Sequence, residues 1–127
     1  MLSGRSWILG LALVSAMLVL VGSLWPGGLG WSPVRPPVLA HFLAYGALGA
    51  AFAVAVGGRG LRVLGVVLAL ALSGLLLELI QIPIPKRSFF WGDVLANSGG
   101  ALLGAGLGWL GLSILHCLQW KRRRTSM

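Results

Sequence analysis

The stretch that decides the fold is residues 62–82, RVLGVVLALALSGLLLELIQI, a long apolar run that ends just before Pro83. A helix needs about 20 mostly apolar residues to cross the hydrocarbon core of a bilayer. Three further stretches meet this condition, and they are residues 7–25, 37–56 and 89–115. The sequence therefore predicts an all-α, four-span transmembrane helical bundle that forms one domain over residues 1–127.

The composition supports a membrane protein and argues against nucleic-acid binding. Hydrophobic residues make up 57% of the 127-residue chain and charged residues 9%, whereas soluble domains average about 25% charged residues. The formal net charge is +8, but the basic residues lie between apolar segments and at the tail rather than along one face. A single cysteine, Cys117, excludes an internal disulfide framework.

The first apolar segment has two interpretations. Arg5 followed by an apolar stretch is typical of a secretory signal peptide. However, the stretch is long for a signal, and Trp25 lies where a cleavage site needs small residues. We therefore expect a retained helix.

The distribution of basic residues predicts the orientation of the helices. Cytoplasmic loops of membrane proteins carry an excess of Lys and Arg. One side of the four-span arrangement has seven such residues, namely Arg5, Arg59, Arg62, Lys121, Arg122, Arg123 and Arg124. The other side has three, namely Arg35, Lys86 and Arg87. We expect both termini of this multi-pass membrane protein to lie in the cytoplasm.

The only two acidic residues, Glu78 and Asp93, lie near the ends of predicted spans. An acidic residue at the centre of a membrane helix costs about 2.5 to 3.5 kcal/mol on insertion scales, and the cost falls toward the helix end. An ionisable residue within a span is a functional hypothesis by default. These two carboxylates are therefore candidate site residues.

Other polar residues are predicted to lie at the same depth. A rise of about 1.5 Å per residue places His41, Glu78 and Asp93 about 6 to 7.5 Å inside the same, outer boundary. We predict a polar cluster that could bind a ligand, composed of His41, Tyr45, Glu78, Gln81, Arg87, Asp93 and Asn97. Arg87 would be the counter-ion of the carboxylates. The alternative is a purely structural network, and the spacing is not a metal signature, so no metal or cofactor is predicted.

A glycine stripe follows the polar residues of the fourth span. Gly100, Gly104 and Gly108 are four residues apart and share one helix face. Small residues at this spacing let another helix approach closely. We expect packing against a neighbouring span of the same chain rather than a homodimer face, and the oligomeric state stays open.

These motifs resemble the VanZ-like family of bacterial membrane proteins. The first motif is His41-Phe42-Leu43-Ala44-Tyr45. The second block has Glu78 and Gln81, then Arg87, then Asp93 and Asn97, and ends with Gly100 and Gly104. The resemblance covers residues 41 to 104. It departs from the family where an Asp-Lys pair often precedes the histidine, because Pro37 and Val38 stand there.

The resemblance implies a role in the cell envelope at the outer face of the inner membrane, but it does not supply a reaction. The namesake of the family is associated with low-level resistance to the glycopeptide teicoplanin. The first hypothesis is a non-enzymatic protein that binds a lipid-linked or amphipathic molecule, with the lipid bilayer as its surroundings. The alternatives are a membrane-embedded enzyme acting on a lipid or cell-wall precursor, and a small proton-coupled exporter. The exporter is disfavoured because the first helix has no acidic residue.

Overall fold

The protein is a bundle of long apolar helices. The computed structural model describes residues 4–24, 37–85 and 88–126. This part of the chain contains four helices and no strand, and the helices are α1 (Gly4–Leu24), α2 (Pro37–Ala55), α3 (Gly60–Gln81) and α4 (Trp91–Thr125). All four are long and apolar enough to cross a membrane. The prediction of an all-α bundle with four membrane-spanning helices is confirmed.

The outer surface of the bundle is apolar. Large side chains such as Leu61, Leu68, Leu95 and Leu102 are all more than half exposed, at 87, 61, 70 and 63%. Exposed apolar surface on this scale would drive a water-soluble protein to associate. In a bilayer these side chains contact acyl chains instead, so the lipid provides the solvent that the composition predicted.

The centre of the bundle is a close contact between α2 and α4 through small residues. Ala53 of α2 and Ala101 and Ala105 of α4 are fully buried. A Cβ atom added to Gly49 would lie 2.5 Å from the Ala101 carbonyl oxygen. The two backbones therefore touch, as small residues permit in membrane helices.

The glycine stripe of α4 faces α2. A Cβ atom added to Gly100 would collide with the carbonyl oxygen of Phe42, and one added to Gly104 would collide with that of Gly46. A Cβ atom on Gly108 would lie 2.7 Å from the Ala50 carbonyl oxygen. The stripe is therefore a contact within the chain in this structure.

The remaining helices surround this pair unequally. Helix α3 packs against both α2 and α4, whereas α1 contacts α2 and α3 but not α4 within the described residues. Only 6% of the α1 span is buried inside the bundle. Helix α1 is therefore the peripheral helix of the bundle.

The turn between α2 and α3 depends on two glycines. Gly57 and Gly58 have φ angles of 81° and 65°, a left-handed conformation that costs glycine little. Their backbone N–H groups donate to the carbonyl oxygens of Val54 and Ala53, both at 3.0 Å. These bonds satisfy carbonyl groups that the end of α2 leaves without helical partners. The chain can therefore reverse direction sharply before α3.

Helix α4 begins later and extends further than the predicted span 89–115. Phe90 is extended, with φ −136° and ψ 118°, and the helix starts at Trp91. Its 35 residues correspond to about 52 Å, well beyond the roughly 30 Å of a bilayer core. The basic end therefore continues past the hydrocarbon as helix. There the Arg124 guanidinium carbon lies 3.9 Å from the centroid of a Trp120 ring.

Two glycine-to-alanine variants test the α2–α4 contact. We expect Gly104→Ala to lower the free energy of unfolding by about 1–3 kcal/mol, because the new methyl group meets backbone that cannot move aside. Gly106→Ala is the matched control, since nothing lies within 4 Å of an added Cβ atom there. Unfolding in mixed detergent micelles gives both values, and equal effects of the two changes would contradict the contact.

Candidate functional site

Buried polar residues gather at one end of the bundle. Glu78, Gln81, Asp93 and Asn97 are only 1, 3, 8 and 1% exposed, and His41 is half-buried. His41 lies near the start of α2, Glu78 and Gln81 near the end of α3, and Asp93 and Asn97 near the start of α4. Three helix ends therefore bring these side chains together.

The centre of the cluster consists of one imidazole and two carboxylates. A ring nitrogen of His41 and one carboxylate oxygen each from Glu78 and Asp93 all lie within 4.8 Å of one another. Each of the three residues comes from a different helix. The set can hold a cation or transfer protons between its members.

Asn97 fixes the orientation of the histidine. Its Oδ1 atom lies 3.0 Å from Nδ1 of His41. With the amide oxygen assigned toward the ring, Nδ1 donates its hydrogen, and Nε2 of the neutral imidazole keeps its lone pair. Gly74 of α3 leaves room for Asn97, because an added Cβ atom would lie 2.8 Å from the asparagine side chain.

Glu78 connects the end of α3 to the start of α4. The backbone N–H of Phe90 donates to Oε2 of Glu78 at 3.3 Å. Phe90 is the N-cap residue of α4, and the first N–H groups of a helix have no partner within the helix. The positive end of the α4 dipole also stabilises negative charge here, which suits Asp93 in the first turn.

Asp93 has a carboxylate oxygen that is buried from solvent. Its Oδ1 atom accepts no hydrogen bond from the part of the chain that the structure describes. A buried carboxylate oxygen without a donor is costly, and such an atom calls for a specific explanation.

Gln81 lies at the same end of the bundle, but its side chain forms a hydrogen bond with α1. Its Nε2 atom donates to the Ser23 carbonyl oxygen at 2.8 Å. Ser23 lies in the last turn of α1, where carbonyl groups have no helical partner. Gln81 therefore attaches α1 to α3, a role that its spacing from Glu78 did not reveal.

Tyr45 lies one turn deeper than His41 and is 2% exposed. On the neighbouring helix α3, the Ser73 hydroxyl donates to the Leu70 carbonyl oxygen at 2.8 Å, and Ser73 and Tyr45 line one groove together. Sequence analysis did not select Ser73, because a single serine in an apolar helix commonly bonds only to its own backbone. Arg87, the predicted counter-ion, lies outside the described residues.

A cleft between α1 and α2 reaches the cluster. It has a volume of about 330 Å³ and is lined by Leu18 and Val19 of α1, Ala40 of α2, and the polar residues His41 and Tyr45. A second groove of about 390 Å³ lies among α1, α2 and α3, and it also touches Tyr45 and Val19. Apolar surface on the peripheral helix α1 therefore leads to polar side chains.

No family model, curated protein or solved structure matches the chain. The chemistry of the site therefore follows from its own residues. They offer one imidazole, two carboxylates and an amide at one end of a membrane bundle, beside a cleft with apolar walls.

Proposed function

We propose that this chain is a VanZ-like protein of the bacterial inner membrane with a role in the cell envelope. In this proposal it binds the polar head of an amphipathic or lipid-linked molecule at the outer leaflet, as the resemblance of its motifs implies. Four apolar helices support a multi-pass membrane protein. The proposal assigns ligand binding to the end of the bundle that holds His41, Glu78 and Asp93.

The cleft between α1 and α2 is the observation that carries this proposal. Its walls include Leu18 and Val19, which suit an acyl chain, and its lining also includes His41 and Tyr45, which suit a polar head. Ligand sites are typically apolar clefts with a few polar groups that fix orientation. An amphipathic molecule has both an acyl chain and a polar head, so it suits both parts of the cleft.

The peripheral position of α1 supports entry of such a ligand from the side. Because α1 contacts no described part of α4, a ligand can separate α1 from α2 without disturbing the α2–α4 contact. The hydrogen bond from Gln81 to Ser23 keeps the end of α1 in place. An acyl chain would replace bilayer lipid as the neighbour of Leu18 and Val19.

The proposed orientation puts the cluster at the outer leaflet. The basic residues Arg122, Arg123 and Arg124 lie in the last turn of α4, and an excess of such residues favours the cytoplasmic side. Asp93 lies in the first turn of the same helix. If α4 crosses the membrane once, the cluster faces the opposite side.

Cysteine labelling tests this orientation. In a Cys117→Ser background, Ser88→Cys and Thr125→Cys put one thiol at an exposed position at either end of α4. We expect a membrane-impermeant maleimide added to spheroplasts to label the cysteine at position 88 but not that at 125 until the cells are lysed. The reverse pattern would contradict the proposed topology and the outer location of the cluster.

Antibiotic susceptibility tests the envelope role. We expect expression of the chain in a susceptible bacterium to raise the inhibitory concentration of a glycopeptide that carries an acyl tail. The inhibitory concentration of a glycopeptide without an acyl tail should rise less, because such a molecule has no chain to occupy the apolar cleft. His41→Gln should abolish the effect, since this side chain lines the cleft.

His116→Gln is the matched control for this experiment, because His116 is exposed on α4, far along the helix from the cluster. It should protect as well as the wild-type chain at equal amounts in the membrane. Unchanged susceptibility to the acylated glycopeptide on expression of the wild-type chain would count against the proposal, as would equal protection by the His41 variant.

A further inference from the structure

The cluster brings two carboxyl groups close together where water is scarce. Glu78 and Asp93 are 1 and 8% exposed, and a carboxylate oxygen of each lies within 4.8 Å of the other and of a His41 ring nitrogen. Two carboxylates this close and this buried repel each other unless a cation or a proton compensates them. The residues in the set are also those that most often bind metal ions through nitrogen and oxygen atoms.

The spacing of the three atoms is close to that of a metal site. Zinc binds histidine nitrogen and carboxylate oxygen at about 2.0–2.2 Å, so tetrahedral ligand atoms lie about 3.4 Å apart. The largest separation here is within 4.8 Å. To surround one such ion, the most distant pair of these atoms would have to come closer by up to about 1.4 Å.

The surroundings of His41 are those of a metal-binding histidine. Metal-bound histidines nearly always donate their second ring N–H to an oxygen atom, which fixes the tautomer and the ring orientation. Asn97 Oδ1 lies 3.0 Å from Nδ1 of His41 in that position. Asn97 itself is 1% exposed and is held where Gly74 leaves room, so the acceptor is rigid.

Asp93 supplies an independent indication of a ligand. Its Oδ1 atom is buried and accepts no hydrogen bond among the described residues, and the residue is more than nine-tenths buried. A bound cation would satisfy this oxygen.

We propose that His41, Glu78 and Asp93 bind one divalent transition-metal ion of the zinc type, with Asn97 as the residue that orients His41. A set of one imidazole and two carboxylates favours zinc or manganese over calcium and magnesium, because calcium and magnesium prefer ligand sets made of oxygen atoms. This inference goes beyond the proposed envelope role and does not depend on it. Three protein ligands leave a fourth position of a tetrahedral ion for water or another ligand.

Zinc content of the purified chain tests the proposal. The full chain, solubilised in detergent and freed of any polyhistidine tag, is dialysed against micromolar ZnCl₂ and then against zinc-free buffer. Mass spectrometry of the metal should then find about one Zn²⁺ per chain. The near-isosteric variants Asp93→Asn and Glu78→Gln should weaken binding by more than about 10-fold, because even loss of an outer-shell partner has an effect of that size.

A second pair of substitutions identifies zinc bound elsewhere. His116 and Cys117 are adjacent and exposed on α4 and could bind zinc adventitiously. The double variant His116→Ala/Cys117→Ser should keep its zinc. Zinc should also raise the melting temperature of this double variant but not that of the same chain carrying Asp93→Asn, because binding to the folded state stabilises it.

Two results would overturn the proposal. One is a wild-type chain that retains no zinc after this dialysis. The other is zinc that survives Asp93→Asn and disappears in the His116→Ala/Cys117→Ser variant. Neither result bears on antibiotic susceptibility, so failure of the metal site and failure of the envelope role are distinguishable.

Discussion

The structure depends on the contact of two helix backbones across small residues. A Cβ atom added to Gly104 of α4 would collide with the Gly46 carbonyl oxygen, and one added to Gly49 of α2 would lie 2.5 Å from the Ala101 carbonyl oxygen. In lipid, where apolar burial between helices provides little driving force, such close packing is a main source of association. The contact also sets which residues meet at its end, and there His41 reaches Asn97.

The polar cluster extends that contact to the other two helices. Glu78 accepts the Phe90 N–H at the start of α4, and Gln81 donates to the Ser23 carbonyl at the end of α1. Both bonds satisfy backbone groups that helix ends leave open, and in a bilayer few other partners are available. The same residues therefore hold the bundle together and form the candidate site.

The helical architecture was predictable because its signal is local. An apolar run of about 20 residues has few alternatives to a spanning helix, and Pro83, Gly57 and Gly58 mark where runs end. The depth of a side chain in the membrane was also predictable, since the number of residues from a helix end gives a distance along the helix. The sequence therefore places His41, Glu78 and Asp93 at one depth without any information on how each helix is rotated about its own axis.

The rotation of each helix about its axis could not be predicted from the sequence, because it depends on contacts between segments that are distant in the chain. The spacing of Glu78 and Gln81 predicts a shared face, yet Glu78 approaches His41 and Asp93 whereas Gln81 bonds to Ser23. The distances among His41, Glu78 and Asp93 could not be predicted for the same reason, since the three residues come from three helices. The later start of α4 follows from Phe90, whose extended backbone turns its N–H toward Glu78.

The central claim is that α2 and α4 meet through His41 and Asn97 at the polar end of the bundle. A double-mutant cycle of His41→Ala and Asn97→Ala, measured as free energy of unfolding in mixed detergent micelles, tests it most directly. Residues in contact should give a coupling energy of about 0.5–3 kcal/mol. Effects that add within about 0.3–0.5 kcal/mol would show that the two side chains do not interact, and would contradict the claim.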